Sequence, residues 1–525
     1  MKFDLIFIGA GIGSSTALIN ILNKKRKKKI TIGVIDKNIE NFPGGVGYSR
    51  ILSKNGFFNN PCRLSPNKFV SWTIKKKNKI NLINHLNEQK SYSYLRWLKE
   101  NTKLFLKARK KGDVKEIYYP RVFYNFWLES EINRVIKKVN KSTEVFFIKS
   151  NVKILKKKKN YFLINKKNNV DLYKYKIKKK YDFRKSEFIK KLKIQTQIKS
   201  KYIFISVGLP APKKIVNNLI FNNKFYIHDL YESGGVNNLL QLIHEKIKSN
   251  NNCVVHFLGS KAGLLECLPE ILNLTKVNKI NLKLISTSNN AKTLNPAVFA
   301  KNRKKYRLKY FTKNYLAEIN SPDLLLNFLK MEFEHAVLKG FTKYNAWSEI
   351  MTKSILKKVI NKFNSKNLFA YNNIFFQKIR GITRFTYPET VRAKELLEKK
   401  GIIVMNQAVI KNIKHKRKKF IVETLNVKKN IKQTKSDILV CVLGPQKINQ
   451  LKKNYNLFKN LQELNKGNVN EIGFSVDQYF RLKKNKNIIL PGFHASGYNP
   501  NRQTIIKAIT DNSIKASDYL IKKIN

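Results

Sequence analysis

Three glycines near the start of the chain, Gly9, Gly11 and Gly13, alternate with other residues; Ser14 follows at once and Asp36 comes later. Glycine lets a chain turn sharply and lets backbone N–H groups lie against a ligand. A turn of this kind opening a helix stabilises the charge of a pyrophosphate. An acid some way beyond it, closing a second strand, accepts hydrogen bonds from ribose hydroxyls. Gly9, Gly11, Gly13, Ser14 and Asp36 are therefore expected to hold a dinucleotide. Ser14 stands where a third glycine is usual, so a looser contact between helix and strand is expected there.

A second constellation repeats the design. Gly259, Ser260 and Gly263 form a turn, read with Ser260 in the place of the middle glycine. Ser286 lies 27 residues beyond Gly259, as Asp36 lies 27 beyond Gly9. Ser286, Thr287 and Ser288 with Lys292 nearby offer hydroxyls and a cation where the first unit has a carboxylate. That pattern accepts a 2′-phosphate, which a carboxylate would repel. The first unit thus reads as a site for FAD and the second as one for NADPH.

The elements that must carry these residues are visible in the hydrophobic pattern. Leu5 to Ile8 and Ile30 to Ile35 are short apolar runs suited to a sheet buried on both faces, and Thr16 to Leu22 resumes at helical spacing. Val254 to Leu258 and Ile280 to Ile285 do the same around the second turn. Residues 118–136 read as an amphipathic helix introduced by Pro120, and residues 165–200 as a long charged loop. Residues 201–214 form a strand ending at Gly208, residues 436–446 a second ending at Gly444, and residues 485–499 a third ending at Gly492. Each of these glycines leaves the strand end without a side chain. Residues 321–363 form a helical insert that starts with a Ser321–Pro322–Asp323 cap. The fold expected is α/β with two Rossmann-like units, the NAD(P) unit inserted in the FAD domain. Its boundaries are residues 1–235 for the first part of the FAD domain, 236–400 for the NAD(P) domain, and 401–525 for the return to the FAD domain.

Composition narrows the function. The net charge of +73 invites a nucleic-acid reading, but the lysines are spread over the whole chain rather than gathered on one segment. The hydrophobic fraction of 42% is that of an ordinary globular chain. Four scattered cysteines make no CxxC pair and suit a reducing cytosol. Neither a signal segment nor a membrane span is expected, and no HExxH or GxSxG motif supports metal or serine chemistry.

The order of motifs in roughly the first 130 residues resembles the FAD/NAD(P)-binding family of YdhS-like proteins, flavin-dependent urate hydroxylase and aspartate N-monooxygenase. Gly47, Tyr48 and Ser49 fall on its G-x-AYS motif. Asn59, Pro61 and Ser65 fall on its LLNVPA-x-x-MS motif, Phe69 and Trp72 on FL-x-WL, and Pro120, Arg121 and Tyr124 on PR-x-x-YG-x-YL. Asn60, Cys62 and Asn125 depart from it. The resemblance implies that Gly47, Tyr48, Ser49, Asn59 and Gly208 lie at the flavin, and that Gly492 opens the closing flavin contact. It also implies an NADPH-reduced monooxygenase that uses molecular oxygen on a small molecule: an amine, a purine or a secondary metabolite. Two alternatives stand beside it, an oxidoreductase without oxygen insertion and an inactive polyanion-binding protein on the same fold.

Overall fold

The computed structural model describes residues 2–24, 29–50, 55–137, 143–158, 161–166, 171–174, 197–208, 212, 214–232, 234–277, 280–289, 294–300, 306–444, 446, 451, 456–466, 473–492 and 506–524. Two sheets dominate it. The first contains β1 (Lys2–Ile8), β2 (Ile30–Asp36), β3 (Thr143–Lys149), β4 (Val152–Lys157), β5 (Phe162–Lys166), β6 (Asp171–Lys174) and β7 (Gln197–Ile205). Their order across the sheet is β4-β5-β7-β1-β2-β3-β6. The four central strands β7, β1, β2 and β3 run parallel, and helix Ile12–Leu22 connects β1 to β2. The apolar runs form strands because both faces are covered: Leu5, Ile6 and Phe7 are fully buried, and the Phe7 and Phe204 rings meet at 5.0 Å between neighbouring strands. Each such side chain contributes about 1.5–3 kcal/mol.

The second sheet contains β8 (Tyr226–Ile227), β9 (Asn252–Leu258), β10 (Asn281–Ser288), β13 (Ile403–Lys416), β14 (Lys419–Asn426), β15 (Ile431–Ser436) and β16 (Ile438–Cys441). Its order is β15-β14-β13-β10-β9-β16-β8, and a small pair joins β11 (Asn295–Pro296) to β12 (Phe385–Thr386). β1 and β9 share one burial pattern residue for residue. Helix Ala262–Val277 takes the place that Ile12–Leu22 has in the first unit.

This topology corrects the expected boundary at residue 401. β13 pairs with β10 and β16 pairs with β9, so residues 403–441 complete the second sheet. β13 runs parallel to β10 in its first half and antiparallel to β14 in its second. The chain rejoins the first unit later. β17 (Ile488–Ile489) pairs with β7, and helix Ile506–Ile524 packs on helix Ile12–Leu22, where Asn20 Nδ2 donates to Ser517 Oγ at 2.8 Å. Leu461, Phe474, Leu482 and Leu520 enter the first unit's core.

Two helical bodies complete the molecule. Helices Asn67–Thr73, Lys76–Gln89, Tyr92–Lys107 and Arg121–Ile136 share an aromatic core with Phe69, Trp97, Phe105, Tyr119 and Tyr124. Arg121–Ile136 was expected to be amphipathic, yet ten of its sixteen residues are buried, because the first unit and its neighbouring helices enclose it. The expected insert is real and extends beyond residue 363, from Lys313–Glu318 through Phe376–Thr383, around Leu325, Phe333, Tyr344 and Ile350. The expected loop at 165–200 contains β6 and the start of β7; residues 175–196 lie outside the described residues. Among the described residues no helix is long and apolar enough to cross a membrane.

Candidate functional site

Both glycine turns sit at the C-terminal ends of parallel strands, where open α/β sheets bind ligands. In the first, Gly9 adopts φ +95 and its N–H donates to the Ile35 carbonyl at 2.8 Å. A Cβ on Gly9 would lie 2.3 Å from the Ser206 carbonyl oxygen, so only glycine fits. A Cβ on Gly13 would lie 2.3 Å from Ser206 Oγ and 3.2 Å from Ser513 Oγ. Gly13 therefore makes the tight helix–strand contact, and Ser14 in the next position does not loosen it. Gly492 belongs to the same cluster, 3.8 Å from Ser206 Oγ by the same construction. Ser206, at the end of β7, is thus the floor on which Gly9, Gly13 and Gly492 converge. Sequence reasoning passed it over because a serine after an apolar run carries no local signal.

Asp36 closes β2 as expected. Its Oδ2 accepts the Ala10 N–H and its Oδ1 the Asn38 N–H, each at 2.7 Å. Burial raises its pKa; the two backbone N–H groups work against that rise. Asp36 thus braces the glycine turn from the end of β2.

The Gly44–Ser49 loop covers the turn. Gly45, at φ +63, packs so closely that a Cβ would sit 2.9 Å from Gly11 Cα, while Gly47 has open space around it. Ser49 is buried and donates to Asn41 Oδ1 at 2.6 Å, so it supports the loop. The Tyr48 ring is half-buried among Phe58 and Tyr124, and burial pushes its hydroxyl up to about 12. Gly208 turns at φ +75 in open space beyond β7.

The first cradle suits a dinucleotide. The first turn of a helix leaves N–H groups without intrahelical partners. Three buried hydroxyls around this turn, Ser14 Oγ, Thr16 Oγ1 and Ser513 Oγ, have no hydrogen-bond partner among the described residues. Buried polar atoms are normally paired, and the phosphates and ribityl hydroxyls of a nucleotide are the kind of groups that would pair them.

The second turn matches the first in its glycines. Gly259, at φ +119, donates its N–H to Thr287 O at 2.8 Å, and its Cβ would lie 2.8 Å from Val442 O. A Cβ on Gly263 would lie 3.0 Å from Val442 Cγ1. Val442 plays the part of Ser206, and Gly444 follows it with open space around, as Gly208 follows Ser206.

The strand register corrects the expected equivalence of Ser286 with Asp36. Ile8 pairs with Ile35 in the first unit and Leu258 with Thr287 in the second, so Ser288 corresponds to Asp36. Ser286 is buried, and its Oγ donates to the Gly259 carbonyl at 2.9 Å. It is spent inside the turn and does not face a ligand. Ser260 Oγ and Ser288 Oγ meet at 2.8 Å. Lys292 lies outside the described residues.

Between the two turns runs a contact that the sequence did not signal. Arg121, at the start of helix Arg121–Ile136, sends Nη1 to Glu266 Oε2 at 3.2 Å and Nη2 to Glu266 Oε1, while its Nε donates to the Phe57 carbonyl at 2.9 Å. Tyr231 OH donates to Glu266 Oε2 at 2.6 Å. Burial opposes the charge on Arg121; Glu266, Tyr231 and Tyr48 outweigh it and hold the guanidinium well above its usual range. Asn59 lines a narrow cleft beside this bridge with Asn55, Phe57, Ser93 and Glu266. Tyr387 stacks on Phe57 at 4.6 Å. It also borders a wider cavity of about 490 Å³, on whose wall Arg96, Glu100, Glu116 and Glu389 stand.

His228 Nδ1 lies 3.1 Å from Tyr226 OH, a loop histidine with a local partner, and His494 lies outside the described residues. All four cysteines are buried and unpaired, with burial raising each thiol, so none is a thiolate nucleophile. Among the described residues no three His, Cys, Asp or Glu side chains gather as a metal site would require.

A family model described as FAD-NAD(P)-binding matches residues 6–175, which span β1 through β6. No curated protein matches the chain. Three solved structures share its fold. The reduced ornithine hydroxylase PvdA of Pseudomonas aeruginosa is 10% identical, with TM-score 0.55 and 100% of both chains covered. The ornithine N-hydroxylase KtzI of Kutzneria sp. 744, with reduced FAD, NADP+ and L-ornithine, is 12% identical, with TM-score 0.53, covering 100% of this chain and 99% of that one. The FAD-bound cadaverine monooxygenase DfoA of Erwinia amylovora is 11% identical, with TM-score 0.52, covering 98% of this chain and 94% of that one. At such identities the likeness establishes the fold: an α/β protein with parallel sheets and two Rossmann-like dinucleotide units.

Proposed function

We propose that the chain is an FAD-dependent, NADPH-reduced monooxygenase that uses molecular oxygen to hydroxylate a small amine. The observation that carries the reading is the Ser206 floor with Gly9, Gly13 and Gly492 converging on it and Asp36 at the neighbouring strand end. Gly9, Gly11, Gly13, Ser14, Asp36, Gly47, Tyr48, Asn59, Gly208 and Gly492 would hold the flavin; Gly259, Ser260, Gly263 and Gly444 would hold the nicotinamide nucleotide. The likeness of residues 47–124 to the YdhS-like, urate hydroxylase and aspartate N-monooxygenase family supports the same assignment, and the amine class rests on the solved structures of ornithine and cadaverine hydroxylases.

A bound flavin supplies hydride acceptance and oxygen activation, which no side chain can provide. The chain's own part is placement. The turn at Gly9–Gly13 fixes the phosphates, and Asp36 orients the ribose. Tyr48, Phe58 and Tyr124 wall the space beyond Gly47 with aromatic surface and keep water from it. Glu100, Glu116 and Glu389 on the wall of the cavity bordered by Tyr387 are already matched by arginines, Glu100 and Glu389 by Arg96 and Glu116 by Arg63. Buried, unpaired cysteines suit the reducing cytosol in which NADPH is available.

The test is visible absorbance of the purified protein with FAD, then anaerobic NADPH, then air with ornithine, lysine or cadaverine. A yellow protein that bleaches with NADPH, recovers in air and yields a hydroxylamine supports the reading. Oxygen uptake without hydroxylated product would favour the oxidoreductase without oxygen insertion. A protein that takes up no FAD overturns both.

A further inference from the structure

The two glycine turns can be superposed residue on residue. Gly9 and Gly259 each abut a carbonyl at the end of the adjacent parallel strand, and Gly13 and Gly263 each abut that same residue's side chain. The middle glycine, Gly11, therefore has Lys261 as its counterpart. The serine expected in that place, Ser260, corresponds instead to Ala10. Where the first unit brings bare backbone to the ligand, the second presents an ammonium group. Where the first has the carboxylate of Asp36, the second has the neutral hydroxyl of Ser288.

Further cations arrive from the insert. Arg380 lies in the last turn of helix Phe376–Thr383, and Arg384 follows that helix. The backbone holds this segment at the exit from β10, because Asn295 N donates to the Arg384 carbonyl at 3.3 Å and β11 pairs with β12. Arg384 is half-buried, and neither it nor Lys261 makes an ion pair among the described residues. Desolvation and then the charges of Arg384 and Arg380 push the Lys261 ammonium below its usual pKa, and burial lowers that of Arg384. Lys261 and Arg384, two like charges with no carboxylate paired to either among the described residues, disfavour one another. An anion placed among them would reverse that penalty, and a guanidinium matches phosphate oxygens in bidentate fashion.

We propose that the second unit grips the phosphates of its nucleotide between two cations, Lys261 from the glycine turn and Arg384 from the helical insert, in place of the bare backbone cradle of the first unit. The ligand class is a phosphorylated pyridine dinucleotide. The proposal rests on the reading of this unit given above and replaces the expected role of Ser286.

The experiment is calorimetric titration of the FAD-loaded full chain with NADP+ and, separately, with inorganic pyrophosphate. Wild type is compared with Lys261→Met, Arg384→Gln and the double variant. NADP+ is expected to bind about tenfold or more weakly in each single variant. Pyrophosphate should compete with NADP+ in wild type and lose measurable binding in the double variant. Flavin content should not change, since the first cradle is untouched. An NADP+ dissociation constant within about twofold of wild type in the double variant overturns the proposal. So does a wild type that binds no pyrophosphate. A wild type that binds pyrophosphate through Lys261 and Arg384 yet is not reduced by NADPH would uphold the two-cation grip and overturn the functional reading instead.

Discussion

Removing Glu266 should loosen the seam between the two units more than any surface change can. Arg121 and Glu266 belong to different units, and each side chain is only 10% exposed. Arg121 spends three donors on this junction, two on Glu266 and one on Phe57 O. The Glu266→Ala variant leaves a buried guanidinium with no countercharge and strands the hydroxyl of Tyr231. Breaking a buried pair in this way costs about 3–5 kcal/mol, whereas replacing both members with apolar residues is often close to neutral. The double variant Arg121→Met/Glu266→Met should therefore be less destabilised than Glu266→Ala alone. Urea unfolding followed by tryptophan fluorescence reads this directly, since Trp72, Trp97 and Trp127 lie in the helical body that Arg121 belongs to. Hydrogen exchange on helix Ala262–Val277 gives a local check. If Glu266→Ala costs less than about 1 kcal/mol, or if the single and double costs simply add, the two side chains are not working as a buried pair and the argument fails.

Two further outcomes follow from the cradle and the second core. Gly13→Ala places a methyl group 2.3 Å from Ser206 Oγ, so the variant should fold but lose flavin on purification; Gly13→Ala/Ser206→Gly should recover it. Loss that the second substitution does not relieve would show that Ser206 is not the obstacle. His256 is fully buried beside Thr287 Oγ1 at 2.9 Å, and burial lowers its pKa to about 4. Between about pH 4 and the unfolded value near 6.5 the unfolded chain binds the extra proton, so this histidine's contribution is whole above pH 6.5 and falls by about 3 kcal/mol at most as pH drops toward 4. Urea midpoints at pH 7 and pH 4.5 should therefore differ less in His256→Gln than in wild type, and equal differences would refute it.

What the sequence showed well is what depends on local backbone demand. Gly9, Gly13, Gly259 and Gly263 were recognisable because a turn that presses against the next strand tolerates no side chain, and that demand is written in a few consecutive residues. Asp36 was recognisable for the same reason, at a strand end. Counting residues from Gly259 misplaced its counterpart because β10 runs two residues further before reaching the same register, which only pairing with β9 reveals. The boundary at 401 failed likewise: β13 begins as a parallel partner of β10 and becomes one arm of an antiparallel ribbon, and nothing in its own pattern says which sheet it joins. Arg121 and Glu266 are 145 residues apart. No periodicity connects them; the fold does.

The two units also solve one problem with opposite chemistry, and the reason lies in the residue beneath each turn. In the first, Ser206 presents a hydroxyl to Gly13 and Gly492, and unpaired hydroxyls of Ser14, Thr16 and Ser513 lie nearby. Such a floor is polar and enclosed. It fits a ligand that stays, because every group it leaves unpaired on departure is buried. In the second, Val442 makes the floor apolar. Beyond the backbone of the turn, charge for an anionic nucleotide comes from the rim, where Lys261 is exposed and where the insert delivers Arg384. Coulomb attraction at a solvent-accessible rim is weaker per contact and reversible. A resident cofactor in the first unit and an exchanging reductant in the second is the division of labour that these two floors favour.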